Sequence, residues 1–232
     1  MAAKYEAVLQ DLSQRIATMA PGDRLPSEQQ LAETYAVSGM TVRRALQVLI
    51  EAKRIVGIRG RGTFVAQPTV SKRLTLASFT ESMRAAGMTA RTEVISASLA
   101  RASKDVAERL NIDEKEQVVT LTRLRFGDET PLCLEYSVLR AASFPGMLGL
   151  NLEGSLYELL RKRYSVELSR AELRLSAVLP SAKEAELLAI DATVPCIKAR
   201  SRSMLGDGTT VEYTTSIYRG DRYELIVDSE TK

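Results

Sequence analysis

"RIVGIRGRGTFVA" (Arg54–Ala66) sets two short apolar, β-branched runs on either side of Arg59-Gly60-Arg61-Gly62. The alternation predicts a strand over Ile55–Ile58, a turn over 59–62 and a second strand over 63–66, with Gly60 and Gly62 free to take positive φ. A P-loop would end in Gly-Lys-Ser/Thr and open a helix, and a dinucleotide loop would run G-x-G-x-x-G into one. Here the glycines run G-x-x-G-x-G into Thr63, Phe64 and Val65. The stretch therefore reads as a hairpin. Its bare tip can approach a polyanion closely while Arg59 and Arg61 reach phosphates or a narrow minor groove.

The residues before the hairpin supply three helices. Tyr5, Val8, Leu9, Leu12, Ile16 and Met19 recur at steps of three and four, an amphipathic helix that Pro21-Gly22-Asp23 stops. Ser27 and Gln30 form a Ser-x-x-Gln capping box for a second helix. After Ala36-Val37, Ser38 caps a third, "GMTVRRALQVLIEA". Its core stripe is Val42, Ala45, Leu46 and Leu49; Met40, Arg43, Arg44 and Gln47 share another side. Two helices across a tight link, the second bearing arginines and a glutamine near its start, suit a DNA major groove, where Arg pairs with guanine and Gln with adenine. The helices alone would equally describe a three-helix bundle with a charged surface. The hairpin that follows turns them into a winged helix-turn-helix.

Charge agrees. The 232 residues carry a net +3, and residues 1–67 hold all of it, nine Lys/Arg against six Asp/Glu. From Gly39 to Gly62 there are six basic residues and one acid. A basic segment on a neutral body points to a polyanion at one end. No histidine is present, which removes Ser-His-Asp and Cys-His catalysis and the common zinc sites, so neither an enzyme nor a metal site or cofactor is expected. Cys133 and Cys196 lack CxxC spacing and read as two buried thiols. No apolar run is long enough for a membrane span and no signal peptide is visible, so the expected location is the cytoplasm, on the nucleoid when bound to DNA.

"PGDRLPSEQQLAETYAVSGMTVRRAL…GRGTFVA" resembles the winged helix-turn-helix of the GntR family of bacterial transcription regulators. The resemblance implies an operator contacted by Ser27, Gln29, Ser38, Met40, Thr41, Arg43, Arg44 and Gln47, with Arg59, Gly60, Arg61 and Gly62 at the wing. Two positions depart from the family pattern: Gln29 and Gly39 stand where relatives usually carry arginine. Arg43 is kept, with Arg44 beside it.

Residues 68–76 read as a linker between a reading head of residues 1–67 and a second domain of residues 77–232. The second domain contains a duplication. "SKDVAERLNID" (Ser103–Asp113) matches "SAKEAELLAID" (Ser181–Asp191) at six of eleven positions. Each copy is preceded by a strand-like run and followed by two strands around a Gly-Asp turn. Two strand–helix–hairpin units predict an α+β domain, an antiparallel sheet of pseudo-twofold symmetry carrying helices, with a cleft between its halves.

Candidate ligand groups follow from that cleft. Arg123 and Arg125 lie two apart on a strand and point to one face, either as a fork for phosphate or carboxylate or as a solvated edge. Ser155, in "GSLYELL", and Thr80, in "SFTESMRAAG", stand at helix starts, as plain caps or where free N–H groups favour an anion. Glu135 and Glu212 share an "EY" motif in the two copies and suit sugar hydroxyls or salt bridges alike. Tyr157 and Tyr218 fit a core or a ligand wall.

The region also resembles the UTRA effector domain of the HutC subfamily, a chorismate-lyase-like fold, through "SFTESM", "R-x-R", "GSLYELL" and "VEYTTSIYRGDRYEL". Members that regulate N-acetylglucosamine use are especially similar. The resemblance implies a homodimeric repressor of a palindromic operator, controlled by a phosphorylated sugar such as N-acetylglucosamine-6-phosphate or glucosamine-6-phosphate. Phe79, Thr80, Arg123, Arg125, Ser155 and Tyr157 would hold the phosphate side; Glu135, Glu212 and Tyr218 would hold the sugar.

Overall fold

A computed structural model of the chain describes residues 2–52, 54–58, 60–66, 69–73 and 78–227. It divides into two compact units, Met1–Pro68 and Thr69–Lys232.

The first unit runs α1 (Ala2–Thr18), α2 (Glu28–Thr34), α3 (Gly39–Glu51), β1 (Ile55–Ile58) and β2 (Gly62–Val65). One cluster closes it: Val8, Leu12 and Ile16 of α1 pack with Leu31, Val42, Leu46 and Leu49, and with Ile55 and Val65 of the hairpin. Burial of these side chains is what positions the helices, since seven-residue α2 is too short to stand alone. The capping box forms: Ser27 Oγ accepts from Gln30 N at 3.2 Å and Gln30 Oε1 accepts from Ser27 N at 2.9 Å. Ala36 turns the chain at φ 49°, and Ser38 Oγ accepts from Thr41 N at 3.3 Å to start α3.

The hairpin carries a third strand that the sequence reading treated only as a helix stop. Leu25 N donates to Thr63 O at 2.8 Å, Val65 N to Asp23 O at 2.8 Å, and Arg24 bridges Phe64 in antiparallel fashion. A two-stranded ribbon leaves one edge of backbone groups unpaired, and residues 22–25 satisfy it.

The second unit contains β3 (Val70–Arg73), α4 (Phe79–Ala85), β4 (Ala90–Arg101), α5 (Lys104–Leu110), β5 (Gln117–Gly127), β6 (Thr130–Arg140), α6 (Leu156–Tyr164), β7 (Arg170–Val178), α7 (Ala182–Leu187), β8 (Cys196–Met204), β9 (Thr210–Arg219) and β10 (Tyr223–Ile226). Six strands form one antiparallel sheet in the order β4-β5-β6-β9-β8-β7. The duplicated units meet at β6 and β9, which is the pseudo-twofold arrangement expected. The stretch read as linker differs: Val70–Arg73 is a strand, paired in parallel with Tyr223–Ile226. That partner lies some 150 residues on, out of reach of any local pattern. Buried Val70 and Tyr223 hold the pair to the cluster of Phe79, Met83 and Tyr218.

The helices divide between the two faces of the sheet. α5 and α7 pack on one, through Ala107 and Leu110 against Val118, and Leu188 against Leu124 and Leu134. α4 and α6 pack on the other, through Met83 and Leu160. Both cysteines are buried thiols. Among the described residues no helix is long and apolar enough to cross a membrane.

Candidate functional site

On the first unit, α3 turns its apolar stripe inward and leaves Met40, Arg43, Arg44 and Gln47 outside, with Met40 73% exposed. Three of these have intramolecular partners. Arg43 donates to Glu28 from Nε at 3.1 Å and Nη2 at 2.8 Å. The Arg44 guanidinium lies 4.9 Å from the Tyr5 ring centroid, and Gln47 donates to Glu51 at 3.1 Å. All are exposed and can be exchanged for base edges or phosphates at little cost, because a surface ion pair is worth about 0–1 kcal/mol. Ser27 and Ser38 act as caps, Thr41 Oγ1 lies 2.9 Å from Ser38 Oγ, and Gln29 donates to Glu33 at 3.2 Å.

At the wing, Gly60 and Gly62 adopt φ +76° and +119° as the turn requires, and Arg61 is exposed. Arg59 lies outside the described residues. One basic group escaped the sequence reading: Arg24, whose Nε sits 3.0 Å from where a Cβ on Gly62 would be. It joins the wing through backbone pairing, a contact that spacing does not reveal.

On the second unit, the sheet face under α4 and α6 holds a cavity of about 280 Å³. Phe79, Arg123, Arg125, Glu135, Tyr157, Glu212 and Tyr218 line it. Seven of the nine residues singled out from the sequence thus converge. Ser155 does not reach the cavity; its Oγ caps α6, accepting from Glu158 N at 3.3 Å. Thr80 stands beside the cavity rather than in its wall, and the cap of α4 is Ser78, in a capping box with Glu81.

The two arginines are equal in sequence but not in space. Each is only 2% exposed. Arg123 is used up: Nε and Nη2 both donate to Glu135, and Nη1 donates to the carbonyls of Leu152 and Gly154 at 3.3 Å. It thereby fixes the loop that leads into α6. Arg125 has far less. Its Nη1 is 3.6 Å from Glu135 and its Nη2 makes one long bond of 3.4 Å to Thr80. Its Cζ lies 4.6 Å from the Phe79 ring centroid, and its buried Nε has no hydrogen-bond partner. Burial pulls the Arg125 pKa below the usual guanidinium value, although Glu135 opposes this. A buried, incompletely bonded guanidinium is costly, and an anion in the cavity would complete it.

Glu135 and Glu212 are not symmetry mates despite the shared motif. Glu135 lies eight residues after Gly127, Glu212 six after Gly206. The register sets Glu135 across from Arg123, and Glu212 across from Ser203. Glu212 is 2% exposed and accepts from Ser203 Oγ at 3.0 Å. Burial, reinforced by Glu135, pushes its pKa up, which favours a neutral carboxyl that can donate as well as accept. Burial likewise keeps the Tyr157 and Tyr218 hydroxyls protonated. The sequence reading missed Ser201, Thr214 and Ser216 on the same wall, and the apolar side formed by Ala171, Leu173 and Leu175 of β7. Period-two alternation along β7, β8 and β9 carries that signal once the sheet order is known.

A winged helix-turn-helix with a bare basic strip, together with a cavity-bearing antiparallel sheet on the same chain, defines a transcription regulator with an effector domain. Residues 4–65 match the family described as bacterial regulatory proteins, gntR family, and residues 85–224 match the UTRA domain. The chain is 30% identical over 225 residues to the HTH-type transcriptional repressor NagR of Bacillus subtilis, covering 96% of this chain and 93% of that one. It is 28% identical to the mannosyl-D-glycerate transport/metabolism system repressor MngR of Escherichia coli, covering 98% and 96%. The crystal structure of PhnF from Mycobacterium smegmatis aligns with a TM-score of 0.75 at 32% identity, covering 97% of this chain and 100% of that one. The protein belongs to the GntR family, in its HutC subfamily, and is a transcriptional repressor of that class.

Proposed function

We propose that the protein is a homodimeric repressor of a palindromic operator, released or tightened on DNA by a phosphorylated sugar of the N-acetylglucosamine-6-phosphate or glucosamine-6-phosphate type. The observation that carries the effector reading is Arg125, a buried guanidinium with an unbonded Nε at a cavity that also holds Glu212, a carboxyl whose pKa burial raises. The phosphate would sit against Arg125, Thr80 and Phe79, with Arg123 holding the wall. Glu212, Glu135 and Tyr218 would meet hydroxyls and the amide, and Ser155 would act through the start of α6. The MngR relative is named for a glycoside that is also an anion, which supports this class.

On the DNA side, residues 1–67 would dock α3 in the major groove through Met40, Arg43, Arg44 and Gln47, with Ser27, Gln29, Ser38, Thr41, Arg59, Gly60, Arg61 and Gly62 on the backbone. One head of this size covers little DNA, and two related by a twofold axis read a palindrome. Ligand and operator would then oppose each other through a coupling on the order of 1–3 kcal/mol.

The test is a titration of both amino-sugar phosphates, followed by thermal midpoint and by operator affinity. A rise in midpoint at millimolar ligand with a change in operator affinity supports the reading. Unchanged operator affinity at saturation would overturn the control and leave the DNA-binding reading intact. The apolar wall at Ala171, Leu173 and Leu175 favours, as a second reading, an anion with fewer hydroxyls. It would compete in the same titration.

A further inference from the structure

The other face of the sheet breaks the pseudo-twofold symmetry at one place. In the duplication Leu110 matches Leu188 and Arg109 matches Leu187. Both leucine partners, Leu110 and Leu188, are buried on this face. In the α7 half, Leu187 and Leu188 close over Leu124 and Leu134 in an apolar cluster. Leu124 pairs with Leu134 across β5 and β6, and Arg202, the match of Leu124 in the duplication, pairs with Tyr213 across β8 and β9, so the α5 half has Arg202 and Tyr213 where the α7 half has two leucines. There the packing does not close. A cavity of about 260 Å³ remains, lined by Arg109, Arg174, Arg200, Arg202 and Tyr213 with three acids, Asp105, Glu108 and Glu172.

The acids do not satisfy the arginines. Asp105 is taken bidentately by Arg109, at 2.8 and 2.7 Å. Glu172 is taken by Arg174 at 2.7 Å and reaches Arg202 only at 3.9 Å. Arg200 forms no ion pair among the described residues, yet stands in register directly opposite Arg174. Its buried Nε, and that of Arg202, have no hydrogen-bond partner. Like charges directly across a ladder repel, and an oxyanion between them would turn the repulsion into a fork of charge-assisted bonds.

We propose that this cavity is a second binding site, on the face of the sheet opposite the effector cavity, for a small phosphate-sized oxyanion held by Arg200 and Arg202. It is independent of the effector reading, since the two sites share no lining residue.

The experiment is calorimetric titration of the full chain with inorganic phosphate, ionic strength held constant with chloride. Wild type, R200Q, R200K and R125A are compared, and folding is checked by circular dichroism. R200Q is expected to weaken this site at least tenfold, R200K to fall between, and R125A to leave it unchanged. A folded R200Q, or R200K should R200Q not fold, that binds phosphate as wild type does would overturn the proposal. So would R125A showing no phosphate heat beyond that of chloride. Loss in R200Q with R125A unaffected would keep this site while removing phosphate from the effector cavity.

Discussion

Arg123 and Glu135 face each other in register across β5 and β6, and one carboxylate oxygen takes both Nε and Nη2 of the guanidinium while also lying 3.6 Å from Arg125. Glu135 is thus the counter-ion of two buried arginines. Replacing it with leucine keeps volume in the cavity but leaves both cations uncompensated. E135L is expected to cost about 3–5 kcal/mol, read as a fall in the urea midpoint. A loss under 1 kcal/mol would show that the pair is neutralised from elsewhere.

Arg125 and Arg123 should separate in function. Arg125→Ala removes an under-bonded cation and is expected to abolish the thermal shift given by amino-sugar phosphate while leaving operator affinity of the free protein unchanged. Arg123→Ala also releases the carbonyls of Leu152 and Gly154. It should lower stability before any ligand is added. Equal behaviour of the two variants would contradict the division of labour.

What was legible in the sequence was what local chemistry fixes. The capping box at Ser27, the cap at Ser38, the hairpin glycines and the duplicated helices each depend on residues a few positions apart. Arg24 at the wing, β3 beside β10, and the split between Arg123 and Arg125 depend on partners brought together only by the fold. The "EY" motif misled for a physical reason: its glutamate stands eight residues past the turn glycine in the first copy and six in the second, so one motif lands at different heights on the sheet. Alternation still put both glutamates on the cavity side, because a shift of two preserves the face.

Wing arginines are expected to act through phosphate rather than sequence. Arg61→Ala should weaken binding to every duplex and lower the salt-dependence slope by about 1. Gel-shift titrations on operator and scrambled DNA at several salt concentrations read both quantities. A loss confined to one operator position would contradict the phosphate role. Gln47→Ala, on the outer face of α3, should instead relax preference at particular bases.

Gly220 closes the end of β9 against the turn before β8, with its N–H donating to Pro195 O at 3.0 Å. A Cβ there would lie 2.3 Å from that same carbonyl oxygen, a backbone atom that cannot rotate away. Gly220→Ala is therefore expected to cost about 3 kcal/mol through overpacking, with a matching drop in thermal midpoint. Gly206→Ala, with open space around its Cβ, is the control and should change little.

Glu212 gives the protein a pH dependence of definite sign. Its folded-state pKa is raised by burial and by Glu135, so the folded chain holds this proton more tightly than the unfolded chain does. Where the folded state binds more protons, stability falls as pH rises. The contribution is complete below the ordinary carboxylate pKa of about 4.3 and is lost as pH climbs from there through the raised value. Glu212→Gln keeps the shape and the bond to Ser203 but removes the titration. Urea unfolding of both proteins across that range should show wild type losing stability relative to E212Q as pH increases. Parallel curves would mean that the carboxyl is ionised in the folded protein, and the neutral donor proposed for the sugar would have to be withdrawn.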